Sequence, residues 1–196
     1  MSPFIKSVLF GSTLCVVVLA NESPPTPPWA ASALTFETGV LWEIGTGTPF
    51  AYHLVPAQLS WRSAEFWHRE YSDGTRLVLR HRLTLLVDLL QSGPESRYLG
   101  FSASPSLEWW NRSATMSLFA GIGGGFGLTD SRGNTGGLGQ DFTLNWFIRG
   151  GIEQAIAPGR SVSAGLMYQH LSNGGMTTPN PSINALGFTL GYSWRY

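Results

Sequence analysis

Large apolar residues recur at every second position through most of the chain. Near the C-terminus, Leu186, Phe188, Leu190, Tyr192, Trp194 and Tyr196 alternate with Gly187, Thr189, Gly191, Ser193 and Arg195. Successive side chains of a strand point to opposite faces, so each set is one face of a strand over 183–196. Segment 162–172 behaves alike. Val162, Ala164, Leu166, Tyr168, His170 and Ser172 share one face; Ser163, Gly165, Met167, Gln169 and Leu171 share the other. The same alternation recurs in 34–43, 55–62, 77–88, 99–108, 115–123 and 142–149. The pattern predicts an all-β fold of eight antiparallel strands, an even number and the smallest usual size for a transmembrane barrel.

Alternation alone does not say which face is inside. A soluble ligand-binding barrel would turn its large apolar face inward. Here the opposite face carries Glu37, Glu43, Arg80, Arg82, Asp88, Glu108, Arg149 and Arg195 among many Gly, Ala and Ser. In a narrow lumen these charges can pair. Facing lipid at the bilayer midplane, an Arg would cost about 2–4 kcal/mol. The pattern therefore predicts an eight-stranded antiparallel transmembrane β-barrel with its apolar face outward. Trp42, Trp61, Trp109, Trp110, Tyr192, Trp194 and Tyr196 gather near strand ends, as interfacial girdles do. The turns at Asn111-Arg112 and "APGR" (157–160) are short, whereas "GLTDSRGNTGGLG" and "NGGMTTPNPS" are long. Outer-membrane barrels keep short turns on the periplasmic side and long loops outside. The connection after 62 is long unless that strand continues to Tyr71 and turns at Asp73-Gly74.

Composition supports this picture. Charged residues are 12% of the 196, and the formal net charge is zero, so a nucleic-acid partner has no electrostatic support. The N-terminus reads as a secretory signal over 1–20: Lys6, an apolar run from Val8 to Leu19, and small residues ending at Ala20. Residues 21–31 ("NESPPTPPWAA") read as a mobile Pro-rich linker, which leaves 32–196 for the barrel. The single cysteine, Cys15, falls in the signal and cannot form an internal disulfide. Four separated histidines give no metal-ligand spacing, and the reading calls for no metal and no cofactor. His81 reads as an interfacial histidine on the apolar face, and His53 and His68 as strand-end residues facing solvent or headgroups. "GIGGG" precedes no helix, so it reads as relief of lumen crowding rather than a phosphate cradle.

Candidate chemistry concentrates after residue 168. His170 and Ser172 share the outward face at the end of the penultimate strand, and a hairpin sets Asn184 of the last strand beside them. Two readings stay open at this point. Polar residues near a strand end can simply sit at headgroup depth, where they cost little. Alternatively, His170 is the base that activates Ser172, Asn184 orients the imidazole, and the Asn180 amide with backbone N–H groups near Gly175 stabilises an oxyanion. The second reading predicts acyl transfer from an ester that stays in the outer leaflet.

The stretch "HLSNGGMTTPNPSIN" (170–184) closely resembles the C-terminal motif of lipid A deacylases of the PagL type, a family of eight-stranded outer-membrane barrels. Motif resemblance covers 165–196; elsewhere the likeness lies in strand count, the Gly-rich "AGIGGGFGLT" and the signal peptide. It implies a serine esterase of the bacterial outer membrane. Its substrate would be lipid A or lipopolysaccharide, losing an ester-linked hydroxyacyl chain. It implies His170 and Ser172 as catalytic residues, and Asn180, Gly175 and Asn173 at the oxyanion hole. It also leaves room for a homodimer. This chain departs from the family at Asn184, where the family carries a glutamate. Asparagine can orient the histidine but brings no charge, so a weaker triad is expected. Asp130 and Asp141, in or beside the long loop before 142, are the carboxylates that loop geometry could bring near. The competing readings are a non-enzymatic small barrel, whose lipid A would not depend on Ser172, and a lipid A acyltransferase, which would move the chain to another acceptor.

Overall fold

The computed structural model describes residues 26–196. The expected signal peptide lies outside the described residues. The alternating segments form strands β1 (Ala33–Glu43), β2 (His53–Arg62), β3 (Trp67–Glu70), β4 (Arg76–Gln91), β5 (Arg97–Trp110), β6 (Met116–Thr129), β7 (Phe142–Ala157), β8 (Arg160–Ser172) and β9 (Ile183–Arg195). All except β3 build the wall. Antiparallel neighbours run in the order β2, β1, β9, β8, β7, β6, β5, β4, and pairing of β2 with β4 closes the barrel. Closure matters because every backbone donor and acceptor at membrane depth needs a partner within the protein. The eight predicted strands are the eight of the wall. The β2–β4 connection keeps the expected turn at Asp73-Gly74 but not the unbroken strand to Tyr71. The chain breaks at 63–66 and resumes as β3, which pairs only with the start of β4 (Trp67↔Leu79, Glu70↔Arg76). The turn between them sits at Asp73-Gly74, with Gly74 at φ 82° and the Thr75 N–H donating to Asp73 Oδ1 at 2.9 Å.

The large apolar face points outward: Leu99, Ile122, Phe188 and Leu190 are more than half exposed. A band of that kind is stable only against hydrocarbon, so the wall is a membrane-spanning surface. Inward residues divide into two layers. Toward the short-turn end the lumen holds a buried ion network. Glu37 bridges Arg82 and Arg149, Arg62 joins Glu108 (3.0 Å) to Glu153 (2.7 Å), and Arg80 reaches Glu108 at 3.4 Å. Toward the long-loop end the lumen is apolar: Leu41, Leu54, Leu86, Leu90, Phe147, Met167, Leu171 and Ile183 pack with Tyr52, Tyr98 and Leu138. Met167 and Leu171, which break the small-or-polar rule of their face, belong to this plug.

Two expectations change. Trp110 is not part of a girdle: it is fully buried, edge-on to Trp29 at 5.9 Å, and its indole N–H donates to Glu108 at 3.0 Å. The end of the tract read as a mobile linker, from Pro28 to Ala31, packs against the barrel. Trp29 and Ala30 form a turn beneath the barrel, and Arg80 donates to the carbonyls of Pro28 (3.3 Å) and Ala31. A buried guanidinium needs more acceptors than the lumen carboxylates supply, and the Pro-rich backbone, with few N–H groups of its own, offers free carbonyls.

Candidate active site

β8 runs to Ser172 because its inward residues are fixed below the rim: Leu171 is fully buried in the apolar plug, and Gln169 is buried against Asp88 at 2.7 Å. With Leu171 pinned inward, His170 and Ser172 must face outward. On β9, Ile183 enters the same plug, so Asn184 faces outward too. The β8–β9 register sets His170 directly opposite Asn184. Beyond Ser172 the chain reverses through Gly174 (φ 65°) and Gly175 (φ 79°), a conformation that glycine takes at no steric cost.

The outward side chains meet. Ser172 Oγ lies 3.0 Å from His170 Nε2, and His170 Nδ1 lies 2.8 Å from Asn184 Oδ1. An amide oxygen only accepts, so Nδ1 carries the proton. Nε2 then keeps its lone pair for the Ser172 hydroxyl. That is the arrangement a general base requires. Trp146 of β7 lies opposite His170, with ring centroids 5.6 Å apart, and packs beside the imidazole. All three polar groups are half-buried.

The loop after β8 is organised by Asn173, which is fully buried. Its Nδ2 lies within 2.7–3.0 Å of the Leu138, Thr177 and Pro179 carbonyls and of the Thr177 hydroxyl. Its Oδ1 accepts the Gly175 N–H at 2.8 Å. The backbone N–H of Asn173 donates to Asn180 Oδ1 at 2.9 Å. Asn180 is thus fixed next to Ser172 by its oxygen, and among the described residues its Nδ2 has no hydrogen-bond partner. Of the three residues expected at an oxyanion hole, only Asn180 keeps an uncommitted side-chain donor. Gly175 and Asn173 are bonded to each other and shape the loop.

A family model described as lipid A 3-O-deacylase (PagL) matches residues 50–193, a span that holds every residue of this cluster. The chain belongs to the PagL family. Among solved structures, it is similar to the outer-membrane enzyme PagL, with 18% identity over 84% of this chain and 99% of that one and a TM-score of 0.54. It is also similar to neisserial surface protein A (NspA), with 10% identity over 84% of this chain and 97% of that one and a TM-score of 0.59. At these identities the likeness is one of fold. No curated protein matches.

Asn184 brings no charge to the site, and neither aspartate from the β6–β7 loop supplies one. Asp130 accepts from the Ser96 and Arg97 amides (2.9 and 3.2 Å) and the Ser96 hydroxyl. Although partial burial alone would raise it, these donors hold its carboxyl below the ordinary aspartate range. Asp141 accepts the Arg132 N–H at 2.7 Å. The carboxylate that does approach is Glu43 of β1, which was expected to face the lumen. It accepts the Asn184 backbone N–H at 3.1 Å. Sequence reasoning also passed over Tyr168 and Ser182. Tyr168 donates to Asn184 Oδ1 at 2.8 Å, and Asn184 Nδ2 donates to Ser182 Oγ at 3.0 Å. Period 2 was the signal for both, since each lies two residues before a member of the cluster. Barrel closure was the signal for Glu43, because it brings the first strand beside the last.

Proposed function

We propose that this chain is an outer-membrane lipid A deacylase that hydrolyses an ester-linked hydroxyacyl chain, at the 3-O position named for its family, with Ser172 as nucleophile. The observation that carries the reading is the continuous contact from Ser172 Oγ through His170 to Asn184 on the lipid-facing wall. His170 Nε2 takes the Ser172 proton as Oγ attacks the ester carbonyl carbon. The resulting imidazolium keeps its Nδ1–H on Asn184 Oδ1. Asn180 Nδ2 donates to the carbonyl oxygen as it becomes an oxyanion. Collapse breaks the bond to the sugar oxygen, which leaves with the proton from His170. Water then attacks the acyl-serine ester and gives its proton to His170, and the hydroxy fatty acid departs as Ser172 is restored.

The test is the lipid A of cells that express the chain. With the native sequence its mass falls by one hydroxyacyl group; with Ser172→Ala it stays full length. Loss of the chain with Ser172→Ala in place would end the serine mechanism. Appearance of the released chain on another lipid would point to transfer rather than hydrolysis.

A further inference from the structure

Asn184 poses a problem that a glutamate would not. A carboxylate offers an acceptor whichever way it turns. An amide offers an acceptor on one side and a donor on the other. With Oδ1 toward His170, the imidazole carries its proton on Nδ1 and can accept from Ser172. With Nδ2 toward His170, the proton moves to Nε2, and the lone pair that should deprotonate Ser172 is gone. A chain with asparagine here needs something to choose between the two.

We infer that Tyr168 and Ser182 are positioning residues that lock the Asn184 amide in its productive orientation and so select the active tautomer of His170. The inference rests on the Ser172–His170 mechanism proposed above. Tyr168 precedes His170 by two residues on the outward face of β8, and its hydroxyl lies 2.8 Å from Asn184 Oδ1. A phenol donates more readily than it accepts, because its lone pair is shared with the ring. It therefore favours the amide oxygen over the amide nitrogen. On the other side, Asn184 Nδ2 lies 3.0 Å from Ser182 Oγ, an aliphatic hydroxyl and the better acceptor of the two. Asn184 Oδ1 thus receives two donors, His170 Nδ1–H and the Tyr168 hydroxyl, as an sp2 oxygen with two lone pairs can. Trp146 holds the Tyr168 ring with a centroid distance of 5.0 Å. The backbone of Asn184 is held as well, its N–H by Glu43 at 3.1 Å and its carbonyl by the Ile44 N–H at 2.7 Å. The side-chain torsion is what remains free, and Tyr168 and Ser182 fix it.

The test compares Tyr168→Phe in two backgrounds, native and Asn184→Glu, with the full chain refolded in detergent micelles and lipid A as substrate. In the native background, Tyr168→Phe is expected to lower kcat about five- to tenfold, the range of one hydrogen bond, and to leave KM within about twofold. In the Asn184→Glu background, the same substitution is expected to change kcat by less than about twofold, because a carboxylate has no wrong orientation. Ser182→Ala, which lies outside the strands, should show the same dependence on background and carries the test if Tyr168→Phe does not fold. Asn184→Glu alone is expected to raise kcat, because a carboxylate stabilises the imidazolium as well as orienting it. Equal losses in both backgrounds would overturn the inference in favour of a packing or substrate-contact role. No loss in either, or an inactive Asn184→Glu, would overturn it too. A Ser172→Ala protein that still releases the acyl chain would sink the mechanism itself, whereas an inactive Ser172→Ala beside a neutral Tyr168→Phe would sink only the lock.

Discussion

Asn180 sits at the junction of what the sequence expresses and what it hides. Its place in the motif suggests the proposed oxyanion role, and its contacts leave a donor for it: the oxygen is tied to the Asn173 N–H while the nitrogen has no partner among the described residues. Asn180→Ala should therefore lower kcat about 100- to 1000-fold while the barrel folds as before, as removal of an oxyanion donor does elsewhere. Initial-rate kinetics in detergent would check this, and a variant with near-native kcat would remove Asn180 from the chemistry. His170, Ser172 and Asn184 were legible because period 2 puts them on one face and one hairpin brings them together. The commitments of Asn173 and Gly175 were not legible. Donor allocation within a reversing loop depends on left-handed glycines and buried carbonyls that no spacing rule encodes. Tyr168 was hidden differently: on an outward strand face, a tyrosine looks like any interfacial aromatic until its hydroxyl is seen to meet an amide.

The strands themselves were legible wherever large and small residues alternate cleanly, and β8 and β9 most of all. They were less so in β6, where the run from Gly121 to Gly127 offers few side chains to read, yet the strand continues to Thr129. β3 escaped because four exposed residues paired on one side carry no burial pattern. Glycine spacing also serves closure. At the β1–β9 seam, a Cβ on Gly187 would fall on the Val40 carbonyl oxygen, and one on Gly39 would fall on that of Phe188. The two backbones approach reciprocally, which keeps Asn184 within reach of Glu43 and Ile44. Gly187→Ala should force this seam apart and lower unfolding free energy by about 1–3 kcal/mol, the usual cost of overpacking a tight site. Urea unfolding in detergent, followed by tryptophan fluorescence, reads the change directly; an unaltered midpoint would mean that the seam has slack that the backbone geometry denies.

How the barrel is filled decides how substrate arrives. Its lumen is filled by an apolar plug behind the candidate site and by a carboxylate–guanidinium network below it, with the segment from Pro28 packed across the short-turn end. Among the described residues, buried side chains occupy the bore at both levels. His170, Ser172 and Asn184 stand instead on the outer wall, on strands whose other outward residues, such as Leu166, Leu186 and Phe188, are lipid-facing. With Ser172 as the proposed nucleophile, the ester reaches it by lateral diffusion within the membrane, with its acyl chain still among other chains. What the enzyme responds to is then the mole fraction of substrate in the surface around it. In mixed micelles holding a fixed bulk concentration of lipid A, adding detergent dilutes the surface without diluting the solution. Below saturation, a tenfold fall in mole fraction should lower the initial rate about tenfold, as mass action requires for a surface encounter. An enzyme that drew monomers from water into an enclosed cavity would keep its rate, because the monomer concentration would not change in proportion. A rate that ignores the detergent-to-substrate ratio would contradict an outward-facing nucleophile, whatever the distances among its side chains.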